Sequence, residues 1–410
     1  MDPWRRNLYI LWGTQFLAMI GMNLVVPFLP FFIRSLGVTD PSELAHWSGL
    51  VFAGPFFLSF IATPLWGTLG DRYGRKLMVV RAIFGLALSQ ILIGFSQDVY
   101  QLFFFRIVQG AISGFIASAL ALVSTNTPKE RIGYAIGLMQ SATAGGMVLG
   151  PFIGGLLADF IGYRAIFLIT GALCAAGGFV VLGLVQELNK TTGEGRKYTV
   201  RENFRLMYAD KRLRVVALTL IAGQMSVLMI EPIFALYIEG FTTSSTRFVS
   251  TLAGGIFSIM GITMVLSAPW WGNRNDKKGY KRNLAVSLVV VGVVYAGHIV
   301  VADLFQLAVL RAFLGFARGG ILPALYALTS FYSPPERRGG MMAIASSMTI
   351  LGNLLGPIIG GAVAGQFGIR MSFVVTSVML AAAGGAVWRY LEEVPPSVGR
   401  AAAPPPVPAS

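Results

Sequence analysis

Apolar residues in this chain neither alternate nor mark one stripe of short helices. They run in blocks of about twenty or more, parted by short polar turns, which is the length a helix needs to cross a bilayer. The alternating ten-residue strands of a membrane barrel are missing. The pattern predicts twelve spanning helices, at 8–33, 46–69, 77–96, 100–125, 133–159, 163–186, 214–239, 248–271, 282–302, 305–331, 339–366 and 370–391. One long polar gap, 187–213, holds Gly193, Gly195 and seven Lys or Arg, with Arg214 directly after it. It divides the chain into a six-helix bundle over 1–187, a linker over 188–213 and a second six-helix bundle over 214–391. The tail 392–410 runs into Ala401-Ala402-Ala403-Pro404-Pro405-Pro406, which can neither hold a helix nor pack, so disorder is expected there.

Composition agrees with lipid as the solvent. Of the 410 residues 55% are hydrophobic and 12% charged, with mean hydropathy +0.69. Soluble domains carry roughly 25% charged residues. The net charge of +14 would suit a nucleic-acid partner, but its placement excludes one. Twenty-five of the 32 Lys and Arg fall at the termini, in the linker, in every second loop or at the span ends that border them, Arg81, Arg214, Arg282 and Arg389 among the last. The opposite loops hold only Arg34, Arg164, Arg247 and Arg370, and the spans hold Arg106, Arg311 and Arg318. Both termini are therefore predicted to be cytoplasmic. The apolar stretch behind Trp4-Arg5-Arg6 is too long for a secretory leader, so it is expected to stay as the first span.

The chemistry of an enzyme is missing from this pattern. There is no G-x(4)-G-K-[ST] loop to cradle a nucleotide, so ATP is not expected to supply the energy. His46 and His298 lie in different halves without ligand-spaced partners, and no nucleophile–base set is suggested. Neither a metal nor a cofactor is expected. Cys174 stands alone inside an apolar run and reads as a small core residue.

The two halves repeat. Pro27 and Pro232, Asp71 and Asp276, and Arg106 and Arg311 are each 205 residues apart. Gly150-Pro151 and Gly356-Pro357, and Arg164 and Arg370, are 206 apart. A constant offset over six spans implies a parallel duplication about an axis along the membrane normal.

The loop after span two reads Gly67-Thr68-Leu69-Gly70-Asp71-Arg72-Tyr73-Gly74-Arg75-Lys76, with a degraded copy from Gly272 through Asp276 to Lys281. Span five carries Gly137, Gly146, Gly150, Pro151, Gly154 and Gly155, of which Gly146, Gly150 and Gly154 form one smooth stripe. Small residues on one face let two helices approach closely. Span one holds Gly21, Pro27 and Pro30, and span four holds Leu102, Arg106, Gln109 and Gly110. On these residues the chain, linker and tail apart, resembles the twelve-span drug:proton antiporters of the major facilitator superfamily, nearest to bacterial multidrug-resistance efflux proteins of the MdtG type. The resemblance implies the major facilitator fold, a central cavity lined by spans one, four, seven and ten, and a cytoplasmic gate loop in which Asp71, Arg72, Gly74, Arg75, Gly67 and Asp276 latch the halves. It also implies that the span-five glycines mark an exporter.

Ionisable residues inside a membrane are functional candidates by default. Glu231 is the one carboxylate well within a span. By the resemblance it shares depth with Arg311 on cavity-lining helices, and Arg318 lies two turns from Arg311 on the same face. Burial favours the neutral acid and a nearby Arg favours the carboxylate, so protonation and ion pairing compete. Glu231, Arg311 and Arg318 are accordingly the expected proton-coupling group, unless they form a static pair that only fixes packing. Gln15, Met19, Asn23, Arg106, Gln109, Gln224 and Asn353 are the expected cavity and substrate contacts. Three buried Arg against one Glu disfavour dications and suit neutral, zwitterionic or anionic amphiphiles. Phe28, Phe31, Phe32, Met225, Met229, Phe234, Tyr237 and Tyr326 could wall an apolar pocket, although core packing is the commoner use of such residues.

The expected function is export of lipophilic small molecules in exchange for protons, by a monomer in a bacterial inner membrane, with substrates, protons and lipid as its partners. The alternatives are an importer or uniporter of a sugar or organic acid, which the span-five glycines oppose, and a non-transporting scaffold, which would gain little from buried charges.

Overall fold

Long apolar runs can satisfy their backbone in lipid only as helices, and the computed structural model is helical accordingly. It describes residues 2–112, 114–187, 199–242 and 248–393, with Phe60, Pro64, Gly67, Thr68, Asp71 and Lys129 by backbone alone. The expected tail beyond 393, the linker over 188–198 and Arg247 lie outside the described residues.

In the first half, α1 (Pro3–Asn23) and α2 (Leu29–Ser35) make up span one, and α3 (Pro41–Tyr73) and α4 (Arg75–Gly94) are spans two and three. Span four is α5 (Val99–Ile112) with α6 (Phe115–Asn126), followed by α7 (Ile132–Ile161) and α8 (Tyr163–Leu184). A short helix, α9 (Val200–Ala209), stands in the linker, started by a capping box between Thr199 and Glu202. In the second half span seven is α10 (Lys211–Leu228) with α11 (Glu231–Glu239). Then come α12 (Val249–Lys278), α13 (Tyr280–Gly297), α14 (Leu304–Arg318) with α15 (Ile321–Tyr332), α16 (Arg338–Phe367) and α17 (Ile369–Tyr390). Ten of the predicted spans are long and apolar enough to cross a membrane as helices. Span one falls short because a five-residue unwound stretch parts α2 from α1, which carries Arg5, Arg6, Asn7, Gln15 and Asn23, and α13 because it opens on Tyr280-Lys281-Arg282-Asn283.

The expectation of continuous spans needs correcting at four places. Spans one, four, seven and ten, the cavity-lining set in the family resembled, are each broken near the middle. Span one unwinds over 24–28 between Asn23 and Leu29, where Pro27 and Pro30 remove donors and crowd the preceding turn. Span four breaks at Gly114, whose φ of +109° only glycine adopts readily. Span seven breaks at Met229-Ile230 ahead of Pro232, and span ten at Gly319-Gly320. The breaks obey the repeat offset. The flanks of each break stay apolar, and a single charge such as Arg318 or Glu231 beside one does not end the run, which is why a hydropathy pattern passes over them.

The halves meet along two seams that are one contact used twice. Gly254 of α12 lies against the carbonyl oxygen of Pro151 in α7, and Gly49 of α3 against that of Pro357 in α16. Gly155 lies against the carbonyl of Ser250, and Gly361 against that of Ala45. At the outer ends Asp159 accepts hydrogen bonds from the Thr251 amide (2.8 Å) and hydroxyl (2.7 Å). Toward mid-span the Ser258 hydroxyl donates to the Val148 carbonyl at 2.7 Å. All of these contacts lie in the charge-poor part of the spans. There the buried core is continuous from Phe28 and Phe167 of one half to Phe234 and Phe257 of the other. At the charge-rich end Leu8, Ile83, Leu122 and Val181 form a core of the first half alone. The molecule is sealed at the charge-poor end.

At the charge-rich end each half is tied to itself. Glu187, just past α8, accepts from the amides of Arg75 (2.8 Å) and Lys76 (3.3 Å), capping α4. Glu393, just past α17, accepts from Lys281 (3.0 Å) and Arg282 (3.1 Å), capping α13. Carboxylates at these helix starts meet unpaired N–H groups and the positive end of the dipole.

Candidate functional site

The broken spans place the chemistry. Glu231 is the first residue of α11 and Arg318 the last of α14, so each charge sits at the helix end whose dipole favours it. Arg318 donates to the Gln224 Oε1 (2.9 Å), and the Gln224 amide donates to the Asn353 Oδ1 (3.1 Å). Three predicted site residues from spans seven, ten and eleven thus form one polar chain, each partly exposed.

Arg311 behaves differently. It is 1% exposed, with its guanidinium carbon 3.3 Å from the centre of the Phe234 ring and 5.8 Å from that of Phe257. Nη1 reaches only the Met260 sulfur, at 3.7 Å, and Nε and Nη2 have no partner. A direct Glu231–Arg311 pair is not formed in this state: among the described residues Glu231 has no ion pair within 4.0 Å, and its side chain is half-buried. The two remain within electrostatic reach of each other.

In the first half, Gln15 is fully buried and donates to the Met139 carbonyl (3.0 Å) and the Thr143 hydroxyl (2.8 Å) of α7. Met19 and Asn23 face the glycine stripe. A Cβ on Gly146 would strike Met19, one on Gly150 would lie 2.6 Å from the Asn23 Cβ, and one on Gly154 would run into the Leu24 carbonyl. In this state, then, that face of span one is packed on α7, and the stripe serves close approach to the first break. Gly137 has open space around it. Arg106 is buried, donates to Gln109 (3.2 Å) and packs its Cβ against Gly54. Phe28, Phe32, Met229 and Phe234 are core residues rather than pocket walls.

In the gate loop, Gly74 turns at φ +105° and Arg75 donates to the Ala121 carbonyl at 2.8 Å. Arg72 lies over the Tyr73 ring. Asp276 accepts from the Tyr280 hydroxyl (2.6 Å), whose own ionisation burial pushes up to about 12. These contacts run within one half. Gly67 and Asp71 lie outside the described side chains.

A latch at the charge-poor end was not foreseen from the residue pattern. Arg34, at the end of span one, makes a two-pronged ion pair with Glu239, at the end of span seven, at 2.7 and 2.8 Å. It roofs a cleft of about 380 Å³ that Phe31, Asp159, Tyr163 and Ser250 also line. The pair is 40% and 36% exposed, so it is worth at most about 1 kcal/mol. Glu239→Gln is expected to raise the labelling rate of a cysteine placed at Ser250 by up to about fivefold, the population shift that energy allows. An unchanged rate would show that the pair does not hold the seam.

Two six-span halves in parallel repeat, four broken spans at corresponding positions and a seam used twice settle the architecture, and comparison with known proteins agrees. The sequence profile of the Major Facilitator Superfamily matches residues 11–297 and 216–410. The chain belongs to this superfamily. It is 34% identical over 374 residues to the multidrug resistance protein MdtG of Escherichia coli strain SMS-3-5, covering 91% of each chain. To MdtG of strain ED1a it is 34% identical over 379 residues, covering 92% of this chain and 93% of that one. Among solved structures, a bacterial homolog of the human lysosomal transporter Spinster, inward-facing and occupied, superposes with TM-score 0.78 at 16% identity over 95% of this chain and 97% of that one. A D-xylose–proton symporter gives 0.74 at 15% identity over 94% and 98%. This major facilitator is therefore a transporter and not an enzyme, and its fold alone, shared with a sugar symporter, does not choose its cargo.

Proposed function

We propose that this major facilitator exports lipophilic or amphiphilic small molecules in exchange for protons, by alternating access, from a bacterial inner membrane with both termini cytoplasmic. The observation that carries this reading is Glu231. It is a lone carboxylate at the break of span seven, without an ion pair among the described residues in a state sealed at the charge-poor end, and within electrostatic reach of a buried guanidinium with an open edge. A carboxylate so placed can take a proton while it faces one side and surrender it to Arg311 pairing when the spans rearrange. Export as the direction is supported by the multidrug-resistance name of relatives at 34% identity and by the span-five glycines. The surplus of buried Arg over Glu supports neutral, zwitterionic or anionic cargo. Basic residues gathered at one end support the orientation. The proton gradient supplies the energy, and one chain suffices as the working unit.

The test is Nile red efflux from energised bacteria carrying the wild type, Glu231→Gln or an empty vector, each with and without a protonophore. Protonophore-sensitive efflux is expected in the wild type and at least a tenfold loss in Glu231→Gln. Full protonophore-sensitive efflux in Glu231→Gln would remove the coupling role. Influx in the wild type would favour an importer.

A further inference from the structure

The core of the second half contains a residue that neither the motifs nor the polar chain use. Tyr295 of α13 is fully buried against the rings of His298 and Phe373, and its hydroxyl has no hydrogen-bond partner among the described residues. It lies within electrostatic reach of Arg311, Arg318 and Glu231. A buried polar group without a partner is costly, and the Tyr295 hydroxyl and the Nε–Nη2 edge of Arg311 are two such groups within electrostatic reach of each other.

That edge has a shape. Nε–H and Nη2–H of a guanidinium point the same way and accept a carboxylate through two parallel hydrogen bonds. The other side of Arg311 is taken up by the Met260 sulfur and the Phe234 face. The remaining groups nearby are engaged. Arg318 is held by Gln224, the Tyr237 hydroxyl donates to the His298 carbonyl, and His298 Nδ1 lies 2.8 Å from the Val294 carbonyl. The exception is His298 Nε2, which has no partner among the described residues; with Nδ1–H donating to a carbonyl it is a neutral acceptor and brings no negative charge to Arg311. Glu231 is the carboxylate within reach that has no ion pair. The repeat supplies a contrast: Gln90 stands 205 residues before Tyr295, equally buried, and Val26 stands 205 before Glu231. The first half keeps the framework, with Arg106 in place of Arg311, but has no titratable pair to put in it.

We propose that Tyr295 is a positioning residue for the proton switch, donating its hydroxyl to the Glu231 carboxylate when that carboxylate docks on the Nε–Nη2 edge of Arg311. The inference rests on the reading of Glu231 as the proton-exchanging acid. On ionisation the proton leaves the Glu231 carboxyl for the aqueous path, the carboxylate turns onto Arg311, and Tyr295 keeps its own proton throughout. On protonation the two hydrogen bonds from Arg311 and the one from Tyr295 are released, and Glu231 returns to the half-buried position seen here.

Tyr295→Phe removes one oxygen and keeps the ring. In proteoliposomes of the full chain, Nile red exchange at equal pH should stay within about twofold of wild type. Uphill movement driven by a pH gradient should fall about tenfold, and its pH profile should be displaced by about half a unit or more. Uphill transport and a pH profile superimposable on wild type, with Glu231→Gln uncoupled in the same vesicles, would overturn the role of Tyr295 alone. Uniform loss of exchange and uphill transport would mark Tyr295 as structural and overturn it too. A fully coupled Glu231→Gln would take away both readings.

Discussion

An alanine at Gly154 is expected to remove transport by damaging the fold of the first half. The added Cβ would meet the carbonyl oxygen of Leu24, with the Leu24 carbonyl carbon at 2.6 Å and its Cα at 2.7 Å. All three are backbone atoms in the unwound stretch of span one, so no side chain can turn aside. Overpacking that rotamers can relieve costs about 1–3 kcal/mol, and a clash with backbone exceeds that range. Gly360, 206 residues on, stands in the same relation to Met229, with that residue's Cα also at 2.7 Å. Gly360→Ala therefore presses on the break that carries Glu231. Membrane abundance and melting temperature in detergent should drop for both variants, with Nile red efflux near that of empty vector. Wild-type abundance and efflux for Gly154→Ala would mean that span one slides freely over α7.

The adjacent glycine should behave in the opposite way. Gly155 faces the Ser250 carbonyl of the other half, with the Thr251 Cα at 3.1 Å from an added Cβ. A leucine there is incompatible with the closed seam but meets nothing once the halves part. Gly155→Leu is expected to fold, reach the membrane at normal levels, and remain open at the charge-poor end. A bias of about 5.5 kcal/mol turns a 1:99 population into 99:1, and a leucine forced against backbone is of that order. The readout is alkylation of a cysteine at Ser258, a buried seam position whose hydroxyl now reaches Val148. The native Cys174 is 1% exposed and gives little background. Labelling should rise at least tenfold over the Ser258→Cys parent, with transport lost. Unchanged labelling with active transport would mean that the seam has slack at this point.

That neighbouring glycines of one motif part company in this way was only half legible in the sequence. The four-residue spacing of Gly146, Gly150 and Gly154 identified a close-packing face, and span one proved to be its partner. Nothing local said that Gly155 looks across to the other half. The spans were legible because a bilayer imposes a length, and the halves because Asp71, Arg106 and Pro27 recur at one offset. The breaks were not, since the flanks of each break stay apolar and one charge such as Glu231 or Arg318 does not end the run, although Pro232 and Gly319-Gly320 stood at the places concerned. Glu187 and Glu393 went unremarked, because nothing local sets them apart from solvated acids beyond the last span of each half. Their offset of 206 was available and would have singled them out. Arg311 was found as a buried cation, but its open edge depends on which side Phe234 and Met260 cover, and that is a tertiary fact.

The latch between Arg34 and Glu239 carries a consequence for ancestry. These residues are 205 apart, so they hold the same place in the two halves, and they touch because that place lies beside the pseudo-twofold axis. In a symmetric pair of identical six-helix chains, any residue at this place would meet its own copy. Arginine would face arginine, or glutamate would face glutamate, and the contact would repel. The glycine seams have no such conflict and work equally well between identical copies. The ionic closure could therefore appear only after the two copies had been fused and had begun to differ, which makes it younger than the seams it reinforces.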